Sequence, residues 1–395
     1  MRLVAILLTL VGLAAQGFAE ATPEGQVKSV SEEFVSDIHS QKGMTCVSCH
    51  EARDKSSKSI SYTIKRNRIP ELCGSCHADA TRMKQFNPSL RTDQLAQYRT
   101  SVHGIKFARG DMRVAVCTDC HTVHSIRPTS DVHSSVHPLN VAATCKRCHS
   151  DRDYMKPYGI ATDQFAGYLD SVHYKAMVET GDMSAPTCST CHGSHGAVPP
   201  GLTAVTNVCA TCHVLQGKFF EQSPHKVAFA KLELPGCVTC HESHRIRHPD
   251  DNFVGTGKLA VCSNCHIASE TAGKMADGTH NNFHQLESGI ADAKLLLERA
   301  EHAGMDVADA QMELTQANDA LAKSRVSLHS AQPALVSADL ETGTRVVVRA
   351  QAAGNAALKE RDKRKRSIVF PVMALAVLFV SAGLYVRSLE KRDGD

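Results

Sequence analysis

Apolar residues are distributed unevenly along this chain. Residues 3–15 form an apolar run near the N-terminus, and residues 368–386 form a second run that carries no charge. Between the two runs, as far as about residue 280, glycine and proline recur at short intervals, which is typical of loops and turns. The long middle region is therefore predicted to be rich in loops.

After residue 280 the pattern becomes that of long helices. Apolar side chains there recur every three or four residues and so share one helix face, namely Leu286, Ile290, Ala293, Leu297 and Ala300. Gly304 and Pro333 mark breaks, and proline is favoured at a helix start, so further helices are predicted from about Val307 to Leu328 and from Pro333 to about Lys365. Residues 286–366 are thus predicted to form a helical hairpin or bundle. It would serve as a spacer, as a docking surface for a partner, or as a contact in a homo-oligomer.

The apolar runs at the two ends indicate export and anchoring. A positive residue, an apolar run and small residues form a secretory signal peptide over residues 1–21, with an uncleaved anchor as the alternative. The second run nearly reaches the roughly 20 residues that a membrane span requires. Residues 368–387 are therefore predicted to be a transmembrane helix, with a buried core helix as the alternative. Export of the body places residues 388–395 in the cytoplasm. The basic flank at 361–366 argues against this orientation, because lysine and arginine are usually more frequent on the cytoplasmic side of a span.

Composition indicates that something other than large aromatic side chains fills the interior. The 395 residues include 16 cysteines, 22 histidines and no tryptophan. The formal net charge of +3 indicates no basic face for nucleic acid, so no nucleic-acid partner is predicted. Every cysteine belongs to one of eight copies of Cys-x-x-Cys-His, which leaves none for another use.

The spacing Cys-x-x-Cys-His is that of a c-type haem attachment site. Each thiol adds to one vinyl group of the porphyrin, and the adjacent histidine binds the iron. Zinc sites also use paired cysteines and exported proteins use disulfides, but neither requires a histidine after every pair. We therefore predict eight covalently attached c-type haems. The predicted attachment cysteines are Cys46, Cys49, Cys73, Cys76, Cys117, Cys120, Cys145, Cys148, Cys188, Cys191, Cys209, Cys212, Cys237, Cys240, Cys262 and Cys265. The predicted proximal iron ligands are His50, His77, His121, His149, His192, His213, His241 and His266.

Over residues 30–285 the chain resembles the multihaem c-type cytochromes. The segments "YRTSVHGIKFARGDMRVAVCTDCHTVHSI" and "YLDSVHYKAMVETGDMSAPTCSTCHGSHGA" are similar to those of membrane-associated periplasmic cytochromes of anaerobic respiration. Eight haems in this region leave too little chain for an ordinary core around each, so the haems would form the core. The expected fold is mainly α and irregular with little sheet, followed by the helical hairpin or bundle and the transmembrane helix.

The haem motifs occur in a four-fold repeat with two motifs per unit. Each unit begins with an aromatic residue, a serine and a leading histidine, and the four leading histidines are His39, His103, His173 and His225. In three units a trailing histidine follows the first motif by three residues, at His124, His195 and His244. A trailing histidine cannot reach the far side of its own haem, so it is expected to bind the iron of a neighbouring one. The first unit has Arg53 at that position.

The leading and trailing histidines supply seven distal ligands for eight haems. The eighth is expected to be His137, His280 or His284, with His133 and His248 as weaker candidates. The supply would suffice to give every iron two histidines, although the sequence does not match each histidine to its iron.

An iron with two histidine ligands exchanges electrons and has no vacant position for a substrate. The prediction is therefore an electron relay on the periplasmic face of the cytoplasmic membrane, anchored by one C-terminal helix. The resemblance implies a quinone-linked membrane partner of the cytochrome b or iron–sulfur type, and periplasmic cytochromes or reductases as further partners. The alternatives are an octahaem reductase of the nitrite, hydroxylamine or tetrathionate type with one open haem, and a filament-forming conductive subunit.

Overall fold

The computed structural model of this protein describes residues 30–50, 63–199 and 204–392. The predicted signal peptide and Arg53 lie outside these residues. Every regular element within them is a helix, so the prediction of a mainly α fold with little sheet is confirmed.

The first two-thirds of the chain contain short helices, most of them of four to nine residues. In chain order they are α1 (Ile38–Gln41), α2 (Ile69–His77), α3 (Ala80–Lys84), α4 (Gln94–Thr100), α5 (Val102–Ala108), α6 (Cys117–His121), α7 (Pro138–His149), α8 (Arg152–Met155), α9 (Gln164–Leu169), α10 (Val172–Glu179), α11 (Cys188–His192), α12 (Ala204–Ala210), α13 (Val214–Glu221), α14 (Pro224–Lys231) and α15 (Val238–His241). Residues 30–34 are also helical. Single 3-10 turns lie at Cys46–Ser48, Arg66–Arg68, Lys156–Tyr158, Asp251–Phe253 and Val261–Asn264.

Three long helices follow: α16 (Thr271–His302), α17 (Ala308–Ser327) and α18 (Pro333–Arg392), with a 3-10 turn at Leu328–Ser330 between the last two. The observed α17 agrees with the helix predicted from Val307 to Leu328. Helix α16 begins about fifteen residues before the predicted apolar stripe. Helix α18 continues past Lys365 through the whole apolar run, and Pro371 lies within the helix without ending it.

The described residues divide into two compact units. One comprises residues 30–50, 63–165 and 173–199, and the other comprises residues 166–172 and 204–392. We call them the first and the second unit.

The first unit has few buried apolar side chains, and several of them are small. They are Met83, Val114, Val116, Ala142, Met155, Met177 and Ala185. Many of its most buried groups are polar, including Asp37, Ser101 and Ser134. Side chains such as these do not form an apolar core of ordinary size, so the helices of this unit surround something other than their own side chains.

The second unit contains an extended apolar core between its three long helices. Phe283, Leu297 and Ala293 of α16 are fully buried, and Ala317 and Ala350 complete the contact from α17 and α18. Small residues bring the helices together: a Cβ added at Gly343 would lie 2.8 Å from Leu286 Cδ2 and one added at Gly354 would lie 2.9 Å from Leu296 Cγ.

The C-terminal part of α18 is apolar and exposed. It is the one helix among the described residues that is long and apolar enough to cross a membrane, and none of its apolar window is buried. This segment fits a membrane anchor.

Candidate haem sites

In the parts of the chain that the structure describes, six pairs of histidine rings face each other at nearly constant separation. The distances between ring centres lie between 5.9 and 6.2 Å, which is too long for a hydrogen bond between the rings. The pairs are His39–His77, His50–His124, His103–His149, His121–His195, His225–His266 and His241–His329.

The separation matches a metal ion bound between two imidazoles. A bond from a metal to an imidazole nitrogen is about 2 Å. With about 1 Å from each nitrogen to its ring centre, two such bonds hold the ring centres about 6 Å apart. One member of every pair is the histidine of a Cys-x-x-Cys-His motif. The donor set of two thiols and two imidazoles therefore fits a covalently attached haem with histidine on both faces of the iron.

The leading histidines follow one rule in the pairs. His39 faces His77 and His103 faces His149, and in both cases the partner belongs to the second motif of the same repeat. His225 likewise faces His266. His173 occupies the corresponding position in the third repeat and is half-buried in α10.

The trailing histidines follow a second rule. His124 faces His50 and His195 faces His121, so each lies opposite the first motif of the preceding repeat. This agrees with the expectation that a trailing histidine serves a neighbouring haem. The second rule explains why the first repeat has Arg53 in place of a trailing histidine. A trailing histidine serves the preceding repeat, and no repeat precedes the first one.

The last repeat has no following repeat to supply a trailing histidine. The ring that faces His241 belongs to His329, at 6.2 Å and with an angle of 16° between the ring planes. His329 lies between α17 and α18, inside the segment predicted as a spacer, and the sequence analysis missed it. The signal that could have found it is the second rule, which requires one histidine from beyond the repeats.

The candidates proposed for the eighth ligand lie elsewhere. His137 is buried at the start of α7, where its Nδ1 accepts a hydrogen bond from the Leu139 amide. His280 on α16 donates from Nδ1 to the Asp251 carbonyl at 2.9 Å. His284, His133 and His248 are exposed, and the His133 ring pairs with Asp131 at 3.1 Å.

The structure also places the two remaining motif histidines and the third trailing histidine. His192 ends α11, and its Nδ1 donates to the Val198 carbonyl at 3.2 Å. His213 precedes α13 as its N-cap residue. His244 is half-buried, and its Nδ1 lies 3.3 Å from the Ser243 hydroxyl.

Each leading histidine is the second residue of a helix, and a buried serine or aspartate directly precedes that helix. Ser101 caps α5, accepting from the Gly104 amide at 2.9 Å while its hydroxyl donates to the Tyr98 carbonyl. Ser171 and Ser223 donate in the same way to the carbonyl of the aromatic residue three positions earlier. A buried cap such as Ser101 fixes the first helical turn, and the histidine two residues later therefore has a fixed direction.

The first repeat uses a carboxylate at this position. Asp37 replaces the capping serine, and its Oδ1 accepts from both the amide and the ring Nδ1 of His39, at 2.8 and 2.9 Å. Its Oδ2 accepts from the Ile126 amide. A carboxylate bound to Nδ1–H leaves the other ring nitrogen unprotonated and available to a metal.

Two further paired histidines also donate from Nδ1 to an oxygen. His329 donates from Nδ1 to the Val326 carbonyl at 3.0 Å, and His266 donates to the Glu270 carboxylate at 2.7 Å. Since a carbonyl or carboxylate oxygen only accepts, Nδ1 carries the proton and Nε2 is the ligating atom.

Burial favours the neutral form of several of the paired rings. Loss of solvent lowers the pKa of His77, His103, His149 and His225, and it is also the main cause that lowers the pKa of His121 to about 4, assisted by the nearby His195. A neutral imidazole is the form that binds metal.

A left-handed residue directly follows the proximal histidine in all three motifs that carry a trailing histidine. Thr122, Gly193 and Glu242 have φ of 67°, 85° and 63° with ψ near 180° or 150°. This region is essentially reserved for glycine and costs other residues about 1–3 kcal/mol. The reversal ends the motif helix at once and directs the trailing histidine away from its own motif.

In the first unit, motifs that follow each other in sequence also lie side by side. The sulfur atoms of Cys73 and Cys117 are within hydrogen-bonding distance, and so are those of Cys145 and Cys188. These contacts join the second motif to the third and the fourth motif to the fifth. Groups attached to these sulfurs would lie next to each other.

In the second unit, successive motifs also lie close to each other. His213 lies close enough to His241 and His329 to lower the pKa of both rings, after the larger effect of burial. Cys240 is similarly influenced by Cys262 of the last motif. The sixth, seventh and eighth motifs are therefore neighbours.

Two family models match the chain. The model of cytochrome c3 matches residues 38–150, and the model of the doubled CXXCH motif matches residues 177–217. No curated protein and no solved structure matches. The two matches cover motifs in both halves of the repeat region, and in the matched segments the facing rings leave room for an iron between them. The chain is a multihaem c-type cytochrome, in which covalently bound haem serves electron transfer.

Proposed function

We propose that the chain binds eight haems, each with two histidine ligands, and relays electrons along them. The facing rings carry this proposal, because an iron held between two imidazoles has no coordination position left for a substrate. Haem in this state supplies only one-electron exchange, at a potential set by its axial ligands, hydrogen bonds and burial.

The close spacing of successive haem motifs supports an electron relay rather than a set of isolated haems. Short helices place the attachment cysteines of one motif beside those of the next, as at Cys73 and Cys117. The paired rings also connect different repeats, since His124 and His195 each face a histidine from the repeat before. The polypeptide would thereby fix the spacing between successive haems.

We further propose that this protein acts on the periplasmic face of the bacterial cytoplasmic membrane in anaerobic respiration. Covalent haem attachment takes place outside the cytoplasm, which requires the exported body that the N-terminal sequence predicts. The proposed partners are a quinone-linked membrane protein, of the cytochrome b or iron–sulfur type, and periplasmic cytochromes or reductases.

Electron paramagnetic resonance of the oxidised protein tests the proposal. We expect eight haems per chain by mass and only low-spin ferric signals. A high-spin signal of one haem per chain would instead favour the octahaem reductase. A mass equal to the bare polypeptide would end both interpretations.

A further inference from the structure

Asp37 differs from the residues that occupy its position in the other repeats. Two residues before the leading histidine, the other repeats have serine, at Ser101, Ser171 and Ser223. The backbone contact beside this position is nevertheless the same. The amide of the next residue donates to a carbonyl of the following repeat, at 2.8 Å from Ile38, 3.0 Å from Val102 and 2.8 Å from Val172. Serine therefore suffices for this contact, and the carboxylate of Asp37 is not needed for it.

The carboxylate of Asp37 is buried beside an axial ligand. Its side chain is only 1% exposed. It accepts from the amides of His39 and Ile126, and also from Nδ1 of the His39 ring at 2.9 Å. None of these donors carries a full positive charge when the His39 ring is neutral. A buried charge is screened much less than an exposed one, so this carboxylate acts strongly on the groups around it.

Both haem motifs of the first repeat lie near this charge. His39 faces His77, the proximal histidine of the second motif. In the first motif the pKa of the Cys49 thiol is raised by burial, by the neighbouring Cys76 and then by Asp37. The negative charge of Asp37 therefore lies close to the groups that would hold the first two haems.

A carboxylate that accepts from Nδ1 makes the imidazole a more basic ligand, and a more basic ligand stabilises ferric iron over ferrous iron. The negative charge acts in the same direction, because the ferric state carries one more positive charge. Hydrogen bonds and burial of this kind are among the factors that set haem potentials.

Resting on the proposed function, we propose that the buried charge of Asp37 lowers the reduction potential of the haem held between His39 and His77. Asp37 acts through His39 and is a positioning residue in this sense. The step that it controls is the uptake of one electron from the relay. Ferric iron becomes ferrous iron in that step, and no bond forms or breaks.

Two substitutions at Asp37 test the inference in the full-length, haem-loaded protein in detergent. Asp37→Asn removes the charge and retains a good helix cap, while Asp37→Ser introduces the residue of the other repeats. The potentials are measured by a redox titration followed by absorbance and electron paramagnetic resonance. We expect both variants to raise the potential of this haem by the equivalent of roughly a tenfold change in its reduction equilibrium, about 59 mV for one electron.

The affected haem can be recognised by its spectrum. The ring planes of His39 and His77 lie at 87° to each other, the largest angle among the six pairs. Crossed imidazole planes leave the iron orbitals that interact with them nearly equal in energy, which gives the most anisotropic low-spin ferric signal. The displaced potential should belong to this signal.

Glu270 provides a matched control. Its carboxylate accepts from Nδ1 of His266 at 2.7 Å, as Asp37 does from His39, but its side chain is 43% exposed. Exposed charge pairs contribute little, so Glu270→Gln should displace the potential of its own haem by clearly less than Asp37→Asn does. Equal displacements would contradict the role of burial.

A purely structural role for Asp37 predicts a different result. Both Asp37 variants would then unfold at lower temperature while all potentials stayed unchanged, and that outcome would overturn the inference. The proposed function is judged separately, on the unsubstituted protein. A high-spin haem there would count against the proposed relay, whereas eight low-spin haems with unmoved potentials in the variants would refute only the role of Asp37.

Discussion

The histidines of this chain have different local partners that explain their roles. At His39, His266 and His329, Nδ1 is bound to an oxygen and the opposite side of the ring faces a second imidazole about 6 Å away. At His137 the ring caps a helix, and Nδ1 is an acceptor. The ring-to-ring spacing therefore separates metal ligands from capping residues better than burial does, since His137 is among the most buried histidines.

The substitution His195→Met tests the assignment of a trailing histidine. His195 faces His121, so the affected haem should be the one attached to Cys117 and Cys120, and not the one attached to its own motif. Exchange of histidine for methionine as an axial ligand raises the potential, here by roughly 0.1 V of the about 0.8 V that axial ligands span. A redox titration monitored by absorbance should show one potential displaced and the haem count unchanged.

The control variant is His302→Met, which alters an exposed histidine at the end of α16. It should leave all potentials unchanged. If the haem next to His192 changed its ligation in the His195 variant, the trailing rule would be wrong.

Single residues were predictable from the sequence where the motif or the repeat specified them. The motif specifies the cysteines and the proximal histidines, and the repeat specifies the leading and trailing histidines. His329 was not predictable, because no cysteine motif lies near it and its segment reads as an amphipathic helix. Its role depends on the end of α17 meeting the last repeat, which is a tertiary contact.

Among the elements, the pair α4 and α5 shows how little space the short helices leave. Gly104 lies in α5 next to His103, and a Cβ at this position would lie 1.9 Å from the Tyr98 carbonyl oxygen. That oxygen belongs to the backbone and cannot move without displacing α4. The close approach lets the Ser101 cap and the Tyr98 carbonyl hold the leading histidine in one direction.

Gly104→Ala should therefore destabilise the first unit by about 3 kcal/mol, the upper range for overpacking. It should also loosen His103 opposite His149, which would appear as a partial high-spin signal. The matched control is Gly278→Ala in α16, where an added Cβ meets nothing within 4 Å. There the higher helix propensity of alanine should stabilise the fold by at most about 1 kcal/mol. Thermal unfolding of both variants measures the difference, and equal effects would contradict the packing argument.

The long helices could be predicted from their apolar period and the short ones could not. The observed α17 lies within one residue of the prediction at each end, because Leu314, Ala317 and Leu321 repeat on one face. The helices of the haem-motif region instead depend on caps such as Ser101 and on left-handed reversals such as Thr122 and Glu242. Threonine and glutamate do not favour that conformation, so the reversals at these two positions could not be predicted from the residue types.

At the scale of the whole chain, the two parts of the structure draw stability from different sources. The bundle of α16, α17 and α18 has its own apolar core, with Phe283, Leu297 and Ala293 fully buried. The first unit has only scattered buried apolar side chains, and its paired histidine rings are separated by the distance that two axial bonds to one iron would span. Its helices are mostly shorter than the length at which isolated helices are stable in water.

Production of the chain without haem should therefore separate the two parts. We expect the mature sequence, expressed in the cytoplasm where haem is not attached, to keep the bundle and lose the first unit. Limited trypsin digestion should leave a resistant fragment that begins near Thr271 and contains α16–α18, while circular dichroism should retain roughly the helix content of that fragment. The haem-loaded protein, digested in the same way, should also resist cleavage between Pro138 and Phe165, which lie in the first unit. Equal protection of that region without haem would show that the polypeptide folds by itself, and the haems would then not be its core.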